Sequence, residues 1–354
     1  MPFTKSEINL FKKVCELNAI AGMENEVAKF LKVEYEKLGF EIVTDNLGSI
    51  FALKKSNVSN APRVMLDGHM DEIGLMCVGI NKNGTIKGAP VGGLYGDTFV
   101  AARMLLKNKD GNILEGCTDT YLPHSNEDIK DAGKFVYDFG FKNDEEAKAA
   151  GVYIGAMMVA KGDLVTMNNK QRLLAKAFDD RYGIVLGLEV LKQLKDVDLP
   201  FDLYVGGSVQ EEVGLRGALT SSAKIKPDLA IVLDCSPARD LGKDQGELGG
   251  GVLLRYVDRE MIAFPELLDF QESVCKKLKI KSQYFSSTGG TNAGAIHKAY
   301  DGVLTLTHCI CARNIHSQSS IIDADDYHAA KKSLLAMLKQ IDSAHIEKWK
   351  KARR

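Results

Sequence analysis

No stretch of this 354-residue sequence is apolar for long enough to span a bilayer as a helix. Charge of one sign is also missing. The 46 Lys and Arg against 47 Asp and Glu leave a net −1, so neither a nucleic-acid partner nor attraction to an anionic membrane is expected. Cysteine is sparse and unpatterned: seven residues, an odd number, with no CxxC spacing. That excludes a disulfide framework as an expectation and points to reduced thiols in a cytoplasmic protein. The opening MPFTKSEINLFKK lacks the pattern of a signal peptide. Neither a 20–50-residue repeat nor a low-complexity segment occurs, which argues against a solenoid. The basic ending EKWKKARR reads as a solvated helix end.

What is present is enough apolar residue, 45%, for one large core and a second domain. Glu24 to Leu38 has helical apolar spacing, stopped by Gly39. Strands follow in EIVTD and SIFAL, then in RVML (Arg63–Leu66), where Gly68 is expected to break the run. From Leu75 to about Asp163 the texture becomes glycine-rich, with hairpin signals at Asn83-Gly84 and Asp110-Gly111 and one helix in NDEEAKAAG. Helix and strand then alternate again, through FDLYVGGSVQ, DLAIVLD, GVLLRYVD and GVLTLTH, to a last helix from about Ala324. The expectation is an α/β fold: a mainly parallel sheet flanked by helices, formed by 1–74 and 164–354, with a small β-rich domain inserted at 75–163.

Sites in such sheets form at the carboxyl ends of strands. Five places there carry ionisable residues: His69 with Asp71, Asp179-Asp180, Glu211-Glu212, Asp234, and His316. Each has an ordinary reading alone, such as a helix N-cap for the Asp pair or a charged surface loop for the Glu pair. With Asp71 left to His69 and one carboxylate taken from the Asp pair, they supply two His, two Asp and a Glu pair. That set suits two divalent cations sharing a bridging carboxylate, with zinc, cobalt or manganese the matching ions. Such pairs are a recurring hydrolytic device, and a spare Glu beside them can act as general base. His-x-Asp places a carboxylate where it can orient a ligand imidazole.

The segments GHMDEIG, AFDDRYG, VQEEVGLRGA, LDCS, GELGGGVLLRYVD, GGTNAGAIH and RNIHS, in this order, resemble the di-metal aminopeptidases that form tetrahedral particles. That family includes glutamyl and deblocking aminopeptidases, some labelled cellulases. The resemblance implies that Asp179 bridges the metals, that His69 and Asp234 complete one site, and that Glu212 and His316 complete the other. It implies Glu211 as the base acting on a metal-bridging water, and Asp71 as the residue orienting His69. It further implies a zinc-peptidase-like fold, removal of the N-terminal residue from short peptides, and a dodecamer built from dimers through the inserted domain. Hydrolysis of another amide or of a carbohydrate, and a non-catalytic assembly role, are the alternatives.

Three departures from the family pattern stand out: Asn292 for Asp, Cys311 and Asn314 in the run before His316, and Cys235 for Val. The altered loops are expected to line the substrate pocket. His297, His308 and His328 are expected in packing or surface roles, and His124 in a loop. Asp67 and Glu72 are expected beside the site or in solvent. Val91-Gly92-Gly93-Leu94-Tyr95-Gly96 does not match a phosphate loop.

Overall fold

The computed structural model describes residues 1–119, 130–242 and 245–352; His124 lies outside them. Two helices come first, α1 (Lys5–Cys15) and α2 (Asn25–Leu38). α1 is an addition to the expected elements. Its start is marked by a capping box, with Thr4 Oγ1 accepting from the Glu7 N–H and the Glu7 carboxylate accepting from the Thr4 N–H. Strands β1 (Glu41–Thr44), β2 (Ile50–Lys54) and β3 (Arg63–His69) follow. The next six are β4 (Gly74–Ile80), β5 (Ile86–Val91), β6 (Arg103–Lys107), β7 (Ile113–Asp119), β8 (Val136–Asp138) and β9 (Met157–Ala160). A short helix, α3 (Asp144–Ala149), precedes β9. These six strands close into a barrel in the order β4-β5-β8-β7-β6-β9, around its own apolar cluster that includes Leu75, Phe99 and Tyr137.

The chain then runs through β10 (Val165–Thr166), β11 (Arg172–Ala175), α4 (Phe178–Leu194), β12 (Asp202–Ser208), α5 (Arg216–Ile225) and β13 (Leu229–Pro237). It continues with β14 (Val252–Val257), α6 (Pro265–Leu278), β15 (Ser282–Ser286), α7 (Ala293–Ile296) and β16 (Leu304–Ala312). β17 (Ser320–Asp323), α8 (Ala324–Leu338) and α9 (Ser343–Lys351) come last. The basic ending is therefore more than a solvated helix end. Ile346 and Trp349 of α9 are buried, and the Trp349 ring lies 5.2 Å from that of Phe270.

The large sheet has eight strands in the order β1-β2-β12-β3-β13-β16-β14-β15. β12, β3, β13 and β16 are mutually parallel neighbours, while β1, β2 and the β14–β16 contact are antiparallel. Alternation along β3 explains the layers. Val64 and Leu66 join a cluster with α4 and α8, while Met65 joins one with α5 and α7. The α/β expectation holds. The strand break at Gly68 does not: β3 continues to His69. A Cβ at Gly68 would lie 2.8 Å from Asp180 Oδ2 and 3.1 Å from the Gly183 carbonyl carbon. This glycine lets the start of α4 approach the strand.

Candidate active site

The parallel core aligns the ends of β3 and β12, with Ser208 opposite His69 in register. Asp234 sits near the end of β13, and His316 follows β16. Asp179 lies at the front of α4, in the turn that precedes its regular part. Asp179 and Asp180 depart from helical backbone there, and the peptide bond between them is cis.

All five proposed ligand positions and Glu211 meet at this end of the sheet. His69 Nε2 is 3.0 Å from Asp179 Oδ1 and 4.0 Å from Glu211 Oε2. His316 Nε2 is 3.4 Å from Asp179 Oδ2 and 3.4 Å from Glu212 Oε2. The outer nitrogens are committed. His69 Nδ1 is 3.0 Å from the main-chain oxygen of Asp71, and His316 Nδ1 is 2.7 Å from that of Gly93. A carbonyl only accepts, so each Nδ1 carries a proton, and each ring turns its Nε2 toward carboxylate oxygens. Each Nε2 must therefore carry a proton or share a cation with those oxygens. Glu212 Oε1 is also buried with no hydrogen-bond partner. The N···O separations of 3.0–3.4 Å match the roughly 3.3 Å ligand–ligand edge of a tetrahedron with bonds near 2.0 Å. The donor set fits divalent cations.

The acidic surroundings favour positive charge at both Nε2 positions, a proton when no cation is bound. Burial opposes charge on His69, yet Glu211, Asp179 and Asp71 outweigh it and push its pKa well above the ordinary histidine value. For His316, burial is likewise outweighed, by Glu212 and Asp179, and its pKa rises to about 10. Glu211 and Glu212 are each pushed up to about 8, first by burial and then by neighbouring carboxylates. Burial also raises Asp234, well above the usual carboxylate range, with the charge of Asp179 adding to it. Asp179 goes the other way: the two imidazoles overcome its burial and hold it low.

The structure refines several sequence readings. Asp71 meets His69 mainly through its carbonyl; its carboxylate is 3.5 Å from the ring nitrogen. That carboxylate accepts the N–H groups of both Glu211 and Glu212, at 3.0 Å each, and so clamps the glutamate pair. Asp180, given no role from sequence, groups with His69 and Asp234, but its oxygens accept from the His69 and Gly183 N–H groups. It ties the strand end to α4. Neither Asp67 nor Glu72 is solvated. Asp67 accepts from Ser208 and Asn292, and Glu72 pairs with Lys176 and Arg181.

A cleft of about 740 Å³ opens over the glutamates, with Tyr95, Arg239, Arg259 and Glu260 on its walls. Cys235, Gly290 and Asn314 line it, as the altered loops lead one to expect. Asn292 and Cys311 do not: Asn292 is spent on Asp67 and Ser208, and Cys311 is buried with Leu253 and Phe285. Cys235 also has a local reason. Its thiol donates to the Phe178 carbonyl, 3.3 Å away, beside Asp179, a bond valine could not make.

Comparison with known proteins identifies the family. The model of the M42 glutamyl aminopeptidase family matches residues 48–332. The glutamyl aminopeptidase of Lactococcus lactis is 36% identical, over 97% of this chain and 99% of its own. The lysyl aminopeptidase of Pyrococcus furiosus is 31% identical, over 94% and 96%. The solved TET1 peptidase of Pyrococcus horikoshii, which can assemble into a tetrahedron or a large octahedral shell, superposes with a TM-score of 0.86. That match has 26% identity and covers 95% of this chain and all of that one. No described helix is long and apolar enough to cross a membrane. The chain belongs to the M42 glutamyl aminopeptidase family and is a metal-dependent aminopeptidase.

Proposed function

We propose that the chain removes the first residue of short peptides at a two-metal centre. The carrying observation is that both imidazoles aim Nε2 at one carboxylate, His69 at Oδ1 and His316 at Oδ2 of Asp179. Asp179 would thus serve both cations, which His69 and Asp234 would hold on one side and Glu212 and His316 on the other. Zinc, cobalt and manganese all suit these donors, zinc best. Two bound cations would acidify a shared water and polarise the scissile carbonyl.

Glu211 takes the proton of the attacking water and returns it to the leaving amine. Asp71 holds Glu211 and Glu212 in register by their N–H groups and fixes the His69 tautomer by its carbonyl. Arg239 and Arg259 on the cleft wall, opposed there by Glu260, favour an acidic first side chain, and the Lactococcus relative is named for glutamyl substrates. A glycosidase would need two carboxylates flanking the bond and would leave both imidazoles without a part.

Residues 1–74 and 164–354 serve as the catalytic domain in this reading. Residues 75–163 serve as a dimerisation domain in a dodecamer, by analogy with the assembling Pyrococcus horikoshii relative. Free buried cysteines fit a cytoplasmic setting. The test is metal content together with hydrolysis of aminoacyl-anilides bearing acidic, basic and neutral side chains. Two metals per chain, with chelator-sensitive release from free but not N-blocked glutamyl substrate, is expected. Absence of any aminoacyl hydrolysis at full metal load would overturn the reading.

A further inference from the structure

The barrel contributes directly to the candidate metal centre. The connection from β5 to β6 crosses to the end of β16 and touches His316 three times. Gly93 presents its carbonyl to Nδ1 at 2.7 Å. Thr98 Oγ1 donates to the main-chain oxygen of Tyr95 at 2.8 Å and lies 3.4 Å from that of His316, a longer second contact for the same proton. The Tyr95 ring lies 6.3 Å from the imidazole, tilted by 34°.

This connection is fixed to the barrel and not free to follow the histidine. Leu94 packs on the barrel core, Phe99 is buried in it, and the Gly96 N–H donates to the Lys130 carbonyl at 2.9 Å. The side it presents to the site has no spare room. A Cβ on Gly93 would sit 3.2 Å from two ring atoms of His316, and one on Gly92 (φ +87°) 3.1 Å from Glu212 Cβ. His316 itself has φ +57°, a backbone state a histidine rarely holds without support. The Gly-Gly pair explains how the barrel approaches so closely.

We propose that the Gly92–Thr98 connection is a positioning element for the second metal site, acting through His316. The Gly93 carbonyl selects the tautomer with a bare Nε2, and the Thr98 hydroxyl holds the backbone that aims it. Partners of this kind around a ligand imidazole are worth roughly 10–100-fold in metal affinity. The proposal rests on the two-metal reading above, and the experiment separates their failures.

Metal-stripped protein is titrated stepwise with Zn²⁺ against a competing chelator, so that each binding step is read without turnover. His316→Ala should lose one step, while Gly93→Ala should weaken that same step roughly 10–100-fold and leave the other unchanged. A variant with one extra glycine after Gly93 moves the carbonyl without adding a side chain, and should behave like Gly93→Ala. Two intact steps in His316→Ala would defeat the metal reading itself, and the proposal with it. If His316→Ala loses a step but both loop variants bind as wild type, or weaken both steps equally, the loop has no positioning role and the metal reading stands.

Discussion

The two halves of the site are built differently. His69 closes a strand in the middle of the sheet, is almost fully buried, and is braced by the carbonyl two residues along its own chain. His316 stands in a loop, about a fifth exposed, and is braced by a carbonyl 223 residues away in the barrel. A strand-borne ligand is placed by the ladder of hydrogen bonds that makes the sheet. A loop-borne ligand needs outside support, and that support can be lost while the fold survives.

The severest way to erase the contrast is Asp179→Ala, which removes the group shared by both halves. Both metals should be lost together and activity with them; metal analysis that still finds two per chain would refute bridging. Glu211→Gln should leave both halves loaded while kcat falls roughly 10²–10⁴-fold. Near-normal turnover would remove Glu211 as the base.

Acid should act on the sheet beneath both halves. His308 on β16 is held neutral by burial, with its pKa lowered to about 4 from 6.5. The unfolded chain takes up a proton below pH 6.5 and the folded chain does not. Stability is therefore full above pH 6.5, and on the order of 3 kcal/mol is lost as pH falls toward 4. Denaturant titrations of metal-stripped wild type and His308→Gln across that window should diverge; parallel curves would show that His308 does not set the slope. Asp71→Asn is the mildest change. An amide offers one acceptor where the carboxylate offers two to the Glu211 and Glu212 N–H groups. Metal affinity should drop roughly tenfold, and at the Glu212 half more than at the His69 half, whose brace is a carbonyl that the substitution keeps. Equal loss in both halves would show that the carboxylate, not the carbonyl, orients His69.

Sequence reading reached the strand-end residues because parallel strands announce themselves as apolar runs, as in DLAIVLD, which ends in Asp234, and the proposed ligands lie at or beyond their ends. It misjudged Gly68, where a small residue marks a helix closing in rather than a strand ending. It placed Asn292 and Cys311 in the pocket because neighbours in sequence were taken as neighbours in the cleft. Alternation sends Cys311 to the far side of its strand, and Asn292 turns inward to Asp67. The Val91–Gly96 segment matched no motif. Its role depends on a contact between residues far apart in the chain, which no local pattern encodes.

The spacing of the ligands also orders events in time. His69, Asp179, Glu212 and Asp234 all precede β14, whereas His316 comes after β16, near the end of the chain. During synthesis the β3–β12–β13 ladder can form while the last ligand is still to be translated. On the two-metal proposal, a growing chain would carry the residues of one half-site before those of the other are complete, and the barrel, already translated by then, precedes the His316 it is to receive.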